Sequence, residues 1–175
     1  YFARALQEKP ARRRVFARLL DEVESFLGPE AGPAPQRRLL DVGAGEGTLL
    51  AVASERGWQA EGIDVSQEMV RHVRDTLGLP MQEGPLERAT LPPGSFDAIV
   101  MNHVLEHVRD PAAMLREFAR VLRPEGLLCL VGPGDILMGH GDPDNYFNMT
   151  RHAYRAILAE SGMSIVEEFY PRRTW

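Results

Sequence analysis

From residue 38 to residue 56 an apolar run, glycines at 43, 45 and 47 and a second apolar stretch follow one another directly. Residues 38–43 (RLLDVG) suit a short strand buried on both faces, and residues 48–56 read as a helix. A buried strand that turns through glycine straight into a helix is the opening unit of a parallel sheet with helical crossovers. The alternation then continues. Strands are expected at Gln59–Asp64, around 79–83, at 96–101 (FDAIVM) and at 127–131 (LLCLV), with helices at 67–77 and 111–122 between them. A last unit places a helix at Arg151–Glu160, with Thr150 as its N-cap, and a strand at 163–169. The fold class that follows is α/β: a Rossmann-like, doubly wound, mostly parallel sheet with helices on both faces.

Upstream, Val15, Phe16, Leu19, Leu20, Val23, Phe26 and Leu27 recur at helical spacing and form one apolar stripe. Gly28-Pro29 ends that helix, and Pro33 and Pro35 keep the next stretch irregular. Residues 1–35 therefore read as an N-terminal helix and proline-rich linker packed on a main domain at 36–175. Met69, Met101, Met114 and Met138 read as packing residues, Trp58 as packing at the sheet edge, and Cys129 as inert inside a strand.

Composition narrows the function classes. The chain has 175 residues, 44% apolar and 26% charged, enough for one domain with a full core. A net charge of −5 speaks against a nucleic-acid partner held by a basic face, and Arg12, Arg13 and Arg14 read as a solvated helix face. The single cysteine, the lack of a leader pattern and the lack of a membrane-length apolar run lead to the expectation of a cytoplasmic protein. The start at Tyr1 rather than Met fits a piece of a longer chain.

In open parallel sheets, ligands bind beyond the carboxyl ends of the strands, so the loops after Val42, Ile63, Met101 and Val131 are expected to line one site. Glycines in the first of these loops allow close approach of a ligand, and the following helix offers unpaired N–H groups. Asp64, ending the second strand, is placed to accept hydrogen bonds from a ribose diol; Ser66 serves better than Asp64 as the cap of the next helix. The G-x-G-x-G spacing leans away from NAD, though a dinucleotide and an adenosyl cofactor both remain open on these residues.

With those residues in place, the sequence resembles the class I S-adenosylmethionine-dependent methyltransferases. LLDVGAGEG (39–47) and GIDVS (62–66) look like the first two motifs of that family. SFDAIV (95–100) and VLEHVRDP (104–111) resemble the subgroup that includes ubiquinone-biosynthesis O-methyltransferases, and LRPEG (122–126) resembles the turn before the fifth strand. Glu125 replaces a glycine there, and no seventh strand is evident after Phe169. The resemblance implies that Asp41, Gly43, Ala44, Gly45 and Gly47 hold the methionine part of S-adenosylmethionine. It implies that Asp64 holds the ribose, that Val65, Pro85 and Leu86 flank the adenine, and that Asn102 and His103 lie near the methyl group. Tyr1 or Phe2 of the N-terminal segment would close the site.

Methyl transfer needs an aligned acceptor, and a hydroxyl acceptor gains from a base. His103 fits that role, and equally fits a structural contact without proton transfer. His140 is a second candidate base, on a polar, glycine-rich loop at 132–150 that suits either a cover for the acceptor or a solvated surface. His103, Glu106 and His107 would share one face if helical, as metal ligands can; capping and packing are the reading preferred here, and no metal is expected. The function expected is methyl transfer to a small-molecule acceptor, with oxygen as the expected acceptor atom and S-adenosylhomocysteine as the product. A cofactor-binding regulatory module without turnover and an NAD-dependent oxidoreductase are the alternatives. An unpaired sheet edge would also suit a dimer.

Overall fold

The structure, a computed structural model, describes residues 10–29, 32–33, 36–132 and 151–166. Tyr1, Phe2, His140, Met138, Thr150 and most of the 132–150 loop lie outside them. The elements in chain order are α1 (Pro10–Leu27), β1 (Arg38–Val42), α2 (Thr48–Glu55), β2 (Gln59–Asp64), α3 (Gln67–His72), β3 (Met81–Glu83), β4 (Phe96–Asn102), α4 (Pro111–Val121), β5 (Leu122–Val131) and α5 (Arg151–Glu160). A wide π-helical turn, Val73–Leu77, extends α3, and 3-10 turns at Leu86–Arg88 and Leu105–His107 sit in the crossovers.

Among the described residues the sheet has five strands, all parallel, in the order β3-β2-β1-β4-β5. The order reverses at β1, so the loops after β1 and β4 diverge to opposite faces and leave the crevice where such folds bind ligands. Each face of the sheet has its own core. On one, Phe16, Leu20, Val23 and Leu27 of α1 and Leu49, Leu50, Val52 and Ala53 of α2 pack with Leu39, Ala98 and Val100. On the other, Met114, Leu115, Phe118 and Val121 of α4 pack with Leu40, Val42, Ile99 and Met101. Alternate residues of β1 and β4 feed opposite cores, which is why both strands read as continuous apolar runs.

Several expectations change in detail. The buried stripe of α1 is narrower than the apolar pattern, since Val15 is 62% and Phe26 41% exposed. Trp58 is buried, and its Nε1 donates to Glu24 Oε1 of α1 at 2.9 Å. β5 begins at Leu122 rather than Leu127. Phe96 pairs with Leu122 and Ala98 with Leu127, so residues 123–126 bulge out opposite Asp97. Pro124, which has no N–H for a ladder, and Glu125, at φ 63°, sit in that bulge. Finally, residues 163–166 carry no strand; the remainder of the 163–169 segment lies outside the described residues.

Candidate functional site

β1 ends by turning through Gly43, Ala44 and Gly45 into α2. The Gly43 and Ala44 N–H groups both donate to Ile63 O, at 2.8 and 3.2 Å, which ties the turn to the end of β2. Gly43 lies at φ 74°, and a Cβ there would fall 2.3 Å from Val104 Cγ2. Glycine is required at 43 because the loop after β4 packs directly on it. Gly45 differs: it lies at φ 54°, but a Cβ there would meet nothing within 4 Å among the described residues. Its glycine leaves an open cradle in front of a left-handed backbone turn, the arrangement a close-approaching ligand uses.

Asp64 bridges two loops. Its Oδ2 accepts from Gly45 N and its Oδ1 from Ser66 N, both at 2.8 Å. A carboxylate has about four acceptor sites, so both oxygens retain capacity for hydroxyl donors. Ser66 caps α3, its hydroxyl accepting from Met69 N at 3.4 Å. Beside Asp64, the Val65 side chain is 73% exposed, an apolar surface on which a flat ring can lie. After β3, the neighbour of β2, Pro85 is exposed, whereas Leu86 is 2% exposed and packs in the core with Leu40 and Val42. Of the pair expected beside an adenine, Pro85 is the one whose side chain reaches the surface.

Asp41, next to last in β1, is buried. Burial, and then the neighbouring Asp64 charge, push its carboxyl up to about 7, while Arg12 of α1 acts in the opposite direction. Arg12 reaches across from α1: its guanidinium is 2.6 Å from Glu46 Oε1 of the glycine loop, which also accepts from Thr48 Oγ1. Arg13 likewise pairs with Glu55. The arginine cluster is thus not a purely solvated face. Spacing alone carried no signal for Arg12 and Glu46, because their contact spans 34 positions.

His103 ends the excursion from β4. Its backbone lies at φ 55°, rare for a residue with a Cβ, and its N–H donates to Val131 O at 2.7 Å. Because Val104 packs on Gly43, His103 is held at the rim of the glycine loop with a half-exposed ring. Asn102 is half-buried at the strand end. His103 precedes the 3-10 turn that carries Glu106 and His107, so the three do not share a helix face. Among the described residues no group of three histidine, cysteine or carboxylate side chains converges as a metal site would. Burial pushes the Cys129 thiol up to about 11, which keeps it protonated and unreactive at neutral pH. No helix among the described residues is long and apolar enough to cross a membrane.

The profile of a family described as "Methyltransferase domain" matches residues 40–130. An uncharacterized 37.1 kDa protein in transposon Tn4556 of Streptomyces fradiae is 42% identical over 133 residues, covering 71% of this chain and 39% of that protein. A ubiquinone biosynthesis O-methyltransferase of Xanthomonas campestris is 38% identical over 102 residues, 55% of this chain and 43% of that one. The nocamycin O-methyltransferase of Saccharothrix syringae is 35% identical over 130 residues, 69% and 44% of the two chains. The matched segment thus spans only about two fifths of each relative. Among solved structures, the YcgJ protein of Bacillus subtilis superposes with TM-score 0.67 at 25% identity, over 85% of this chain and 68% of that one. The parallel sheet, the glycine turn and these matches agree: the chain belongs to the methyltransferase domain family, of the class that uses S-adenosylmethionine.

Proposed function

We propose that this domain transfers a methyl group from S-adenosylmethionine to a small molecule, with a hydroxyl oxygen as acceptor. The observation that carries the reading is the open cradle at Gly45, bounded by Asp64 on one side and by the Val104–Gly43 contact that holds His103 on the other. The O-methyltransferase names of two relatives support oxygen as the acceptor atom.

The residues fit the cofactor. Gly45 leaves backbone room, Asp64 offers acceptors for ribose hydroxyls, and exposed Val65 and Pro85 offer apolar cover for adenine. Asp41, with the loop from Gly43 to Gly47, would hold the charged methionine end. When bound, S-adenosylmethionine supplies an electrophilic methyl group on a sulfur that is already a good leaving group. The protein therefore has to align an acceptor and hold a proton. His103 Nε2 takes the proton of the acceptor hydroxyl as the oxygen–carbon bond forms, and releases it to solvent afterwards. His140, which lies outside the described residues, is a second candidate base in this reading.

Calorimetric titration with S-adenosylmethionine and with NAD tests the cofactor. Affinity for NAD with none for S-adenosylmethionine overturns the reading. Turnover is tested with methyl-labelled cofactor and a panel of phenols, aliphatic alcohols, carboxylic acids and amines. Label is expected on the hydroxyl compounds, and His103→Gln is expected to lower kcat on the order of a hundredfold while leaving cofactor affinity unchanged. Tight cofactor binding without label on any acceptor would favour a regulatory module. A specific likeness keeps a non-transfer role in view: the [4+2]-cyclase SpnF superposes with TM-score 0.70 at 26% identity, over 86% of this chain and 58% of that one.

A further inference from the structure

We propose that Glu106 is the positioning residue for His103: its buried carboxylate holds the proton on Nδ1 and leaves Nε2 free to act as base. The inference rests on the reading of His103 as the base, and deepens it.

The geometry is unusual for a residue with only a structural task. Glu106 is 6% exposed, on a 3-10 turn directly beneath the rim that carries His103. Among the described residues its Oε2 is buried with no hydrogen-bond partner, and its Oε1 lies 3.5 Å from His103 Nδ1. A carboxylate removed from water with an oxygen unpaired costs folding energy, and an apolar side chain of the same size would avoid that cost. Packing alone therefore does not account for a glutamate here. What a carboxylate supplies and an apolar chain does not is an acceptor for a ring N–H.

The other half of the arrangement is His103 itself. Its left-handed backbone is a strained conformation for a residue with a side chain, and the 2.7 Å hydrogen bond to Val131 O locks it. Nδ1 is the ring nitrogen that lies near Glu106, while the side chain stays 53% exposed. At 3.5 Å the two atoms are in ion-pair range without a formed hydrogen bond, and such contacts in catalytic pairs often tighten once the acceptor is bound. An imidazole that donates from Nδ1 presents its lone pair at Nε2. During transfer the acceptor's proton moves to Nε2, the Nδ1 proton stays in place, and Glu106 stabilises the imidazolium without taking a proton. Atoms and charge balance: the positive charge lost from sulfur appears on the imidazole, which passes the proton to water.

The test combines Glu106→Leu, Glu106→Gln and His103→Gln, read by nitrogen-15 ring signals of the full chain with S-adenosylhomocysteine as probe. Comparison with His103→Gln assigns the ring. In the unsubstituted protein at pH 8 the neutral ring is expected to carry its proton on Nδ1. In Glu106→Leu it is expected to shift to Nε2, with a melting temperature equal or higher. Glu106→Gln, which keeps a carbonyl acceptor, is expected to retain the Nδ1 form in part. With an acceptor from the phenol panel, Glu106→Leu should lose about tenfold to a hundredfold in kcat at unchanged KM, and Glu106→Gln should recover part of it. A ring signal identical in Glu106→Leu and the unsubstituted protein overturns the proposal, as does unchanged kcat. If Glu106→Leu does not fold, Glu106→Ala carries the same test: a ring signal and kcat equal to those of the unsubstituted protein, at only lowered melting temperature, assign Glu106 a purely structural role and overturn the proposal too. Failure of the base reading looks different: His103→Gln then keeps full turnover, while the ring signals still report whether Glu106 sets the tautomer.

Discussion

Asp41 shows how the burial of a single residue in this site makes stability depend on pH. Its carboxyl is raised from 3.8 to about 7, first by burial and then by Asp64, against the opposing influence of Arg12. A folded state that holds the proton more tightly than the unfolded chain gains stability from it below about pH 4. That contribution is lost as pH rises toward 7, at about 1.4 kcal/mol per pH unit, and the loss levels off above 7. Asp41→Asn is neutral and nearly isosteric, so its stability lacks this term. The difference in unfolding free energy between the two proteins is expected to move in favour of Asn as pH rises from 4 to 7, by a few kcal/mol. Urea unfolding across that range measures it, and a pH-independent difference would refute the assignment. The same substitution should weaken S-adenosylmethionine, whose ammonium and sulfonium groups favour an ionised neighbour. At this scale the sequence was partly legible. Gly43, Gly45, Asp64 and Asp41 announced themselves by position along a strand–turn–helix, where local chain geometry decides. Arg12, Glu46 and the burial of Leu86 did not, because each depends on how distant segments pack.

At the scale of elements, local periodicity located most strands and helices, and it failed where a partner decides the outcome. β2 falls at Gln59–Asp64 as its pattern indicated, since both its neighbours support it. The π-helical turn at Val73–Leu77 left no trace in the pattern, because one wide turn shifts the apolar period too little to read over five residues. Met163, Ile165 and Val166 have strand-forming side chains, yet a strand needs an edge to pair with, and among the described residues none pairs with 163–166. The start of β5 was hidden by Pro124 and Glu125, which break the strand pattern without ending the strand. Asp97 explains how the bulge is held: it is buried, accepts from Arg38 N at 2.6 Å and pairs with Arg123 inside the bulge. That leaves Glu125 in a left-handed conformation that a side chain disfavours by about 1 kcal/mol. Glu125→Gly is therefore expected to raise the unfolding free energy by up to about 1 kcal/mol, reduced by the greater freedom of glycine in the unfolded chain. A rise in urea midpoint at constant slope measures this gain, and a fall would show that the Glu125 side chain contributes more than its strain costs.

For the molecule as a whole, the question is whether α1 belongs to the fold or merely rests on it. The sheet exposes two apolar faces, and α1 covers part of one, with Leu20 fully buried among residues of α2 and the central strands. Polar contacts reinforce the attachment. Arg56 pairs with Asp21 and Glu24 and donates to Ala17 O, and Trp58 donates to Glu24. These contacts fix the orientation of α1, and that orientation delivers Arg12 to Glu46 and to the neighbourhood of Asp41. The face that builds the core and the charge that tunes the site are thus carried by one helix, one turn or two apart. Loosening the apolar face should act on both. Leu20→Ala is expected to cost about 2–5 kcal/mol of stability, since it leaves a cavity between α1 and α2. Phe26→Ala, on the same helix but 41% exposed, is expected to cost clearly less, about 1 kcal/mol. The two residues are equally apolar by sequence, so the contrast separates docking from mere hydrophobicity. Urea unfolding of both variants, with S-adenosylmethionine titration alongside, reads the two effects together. Equal losses from Leu20→Ala and Phe26→Ala would mean that α1 is not docked by this face, while a cofactor affinity lowered only in Leu20→Ala would tie the integrity of the glycine-loop site to the packing of α1.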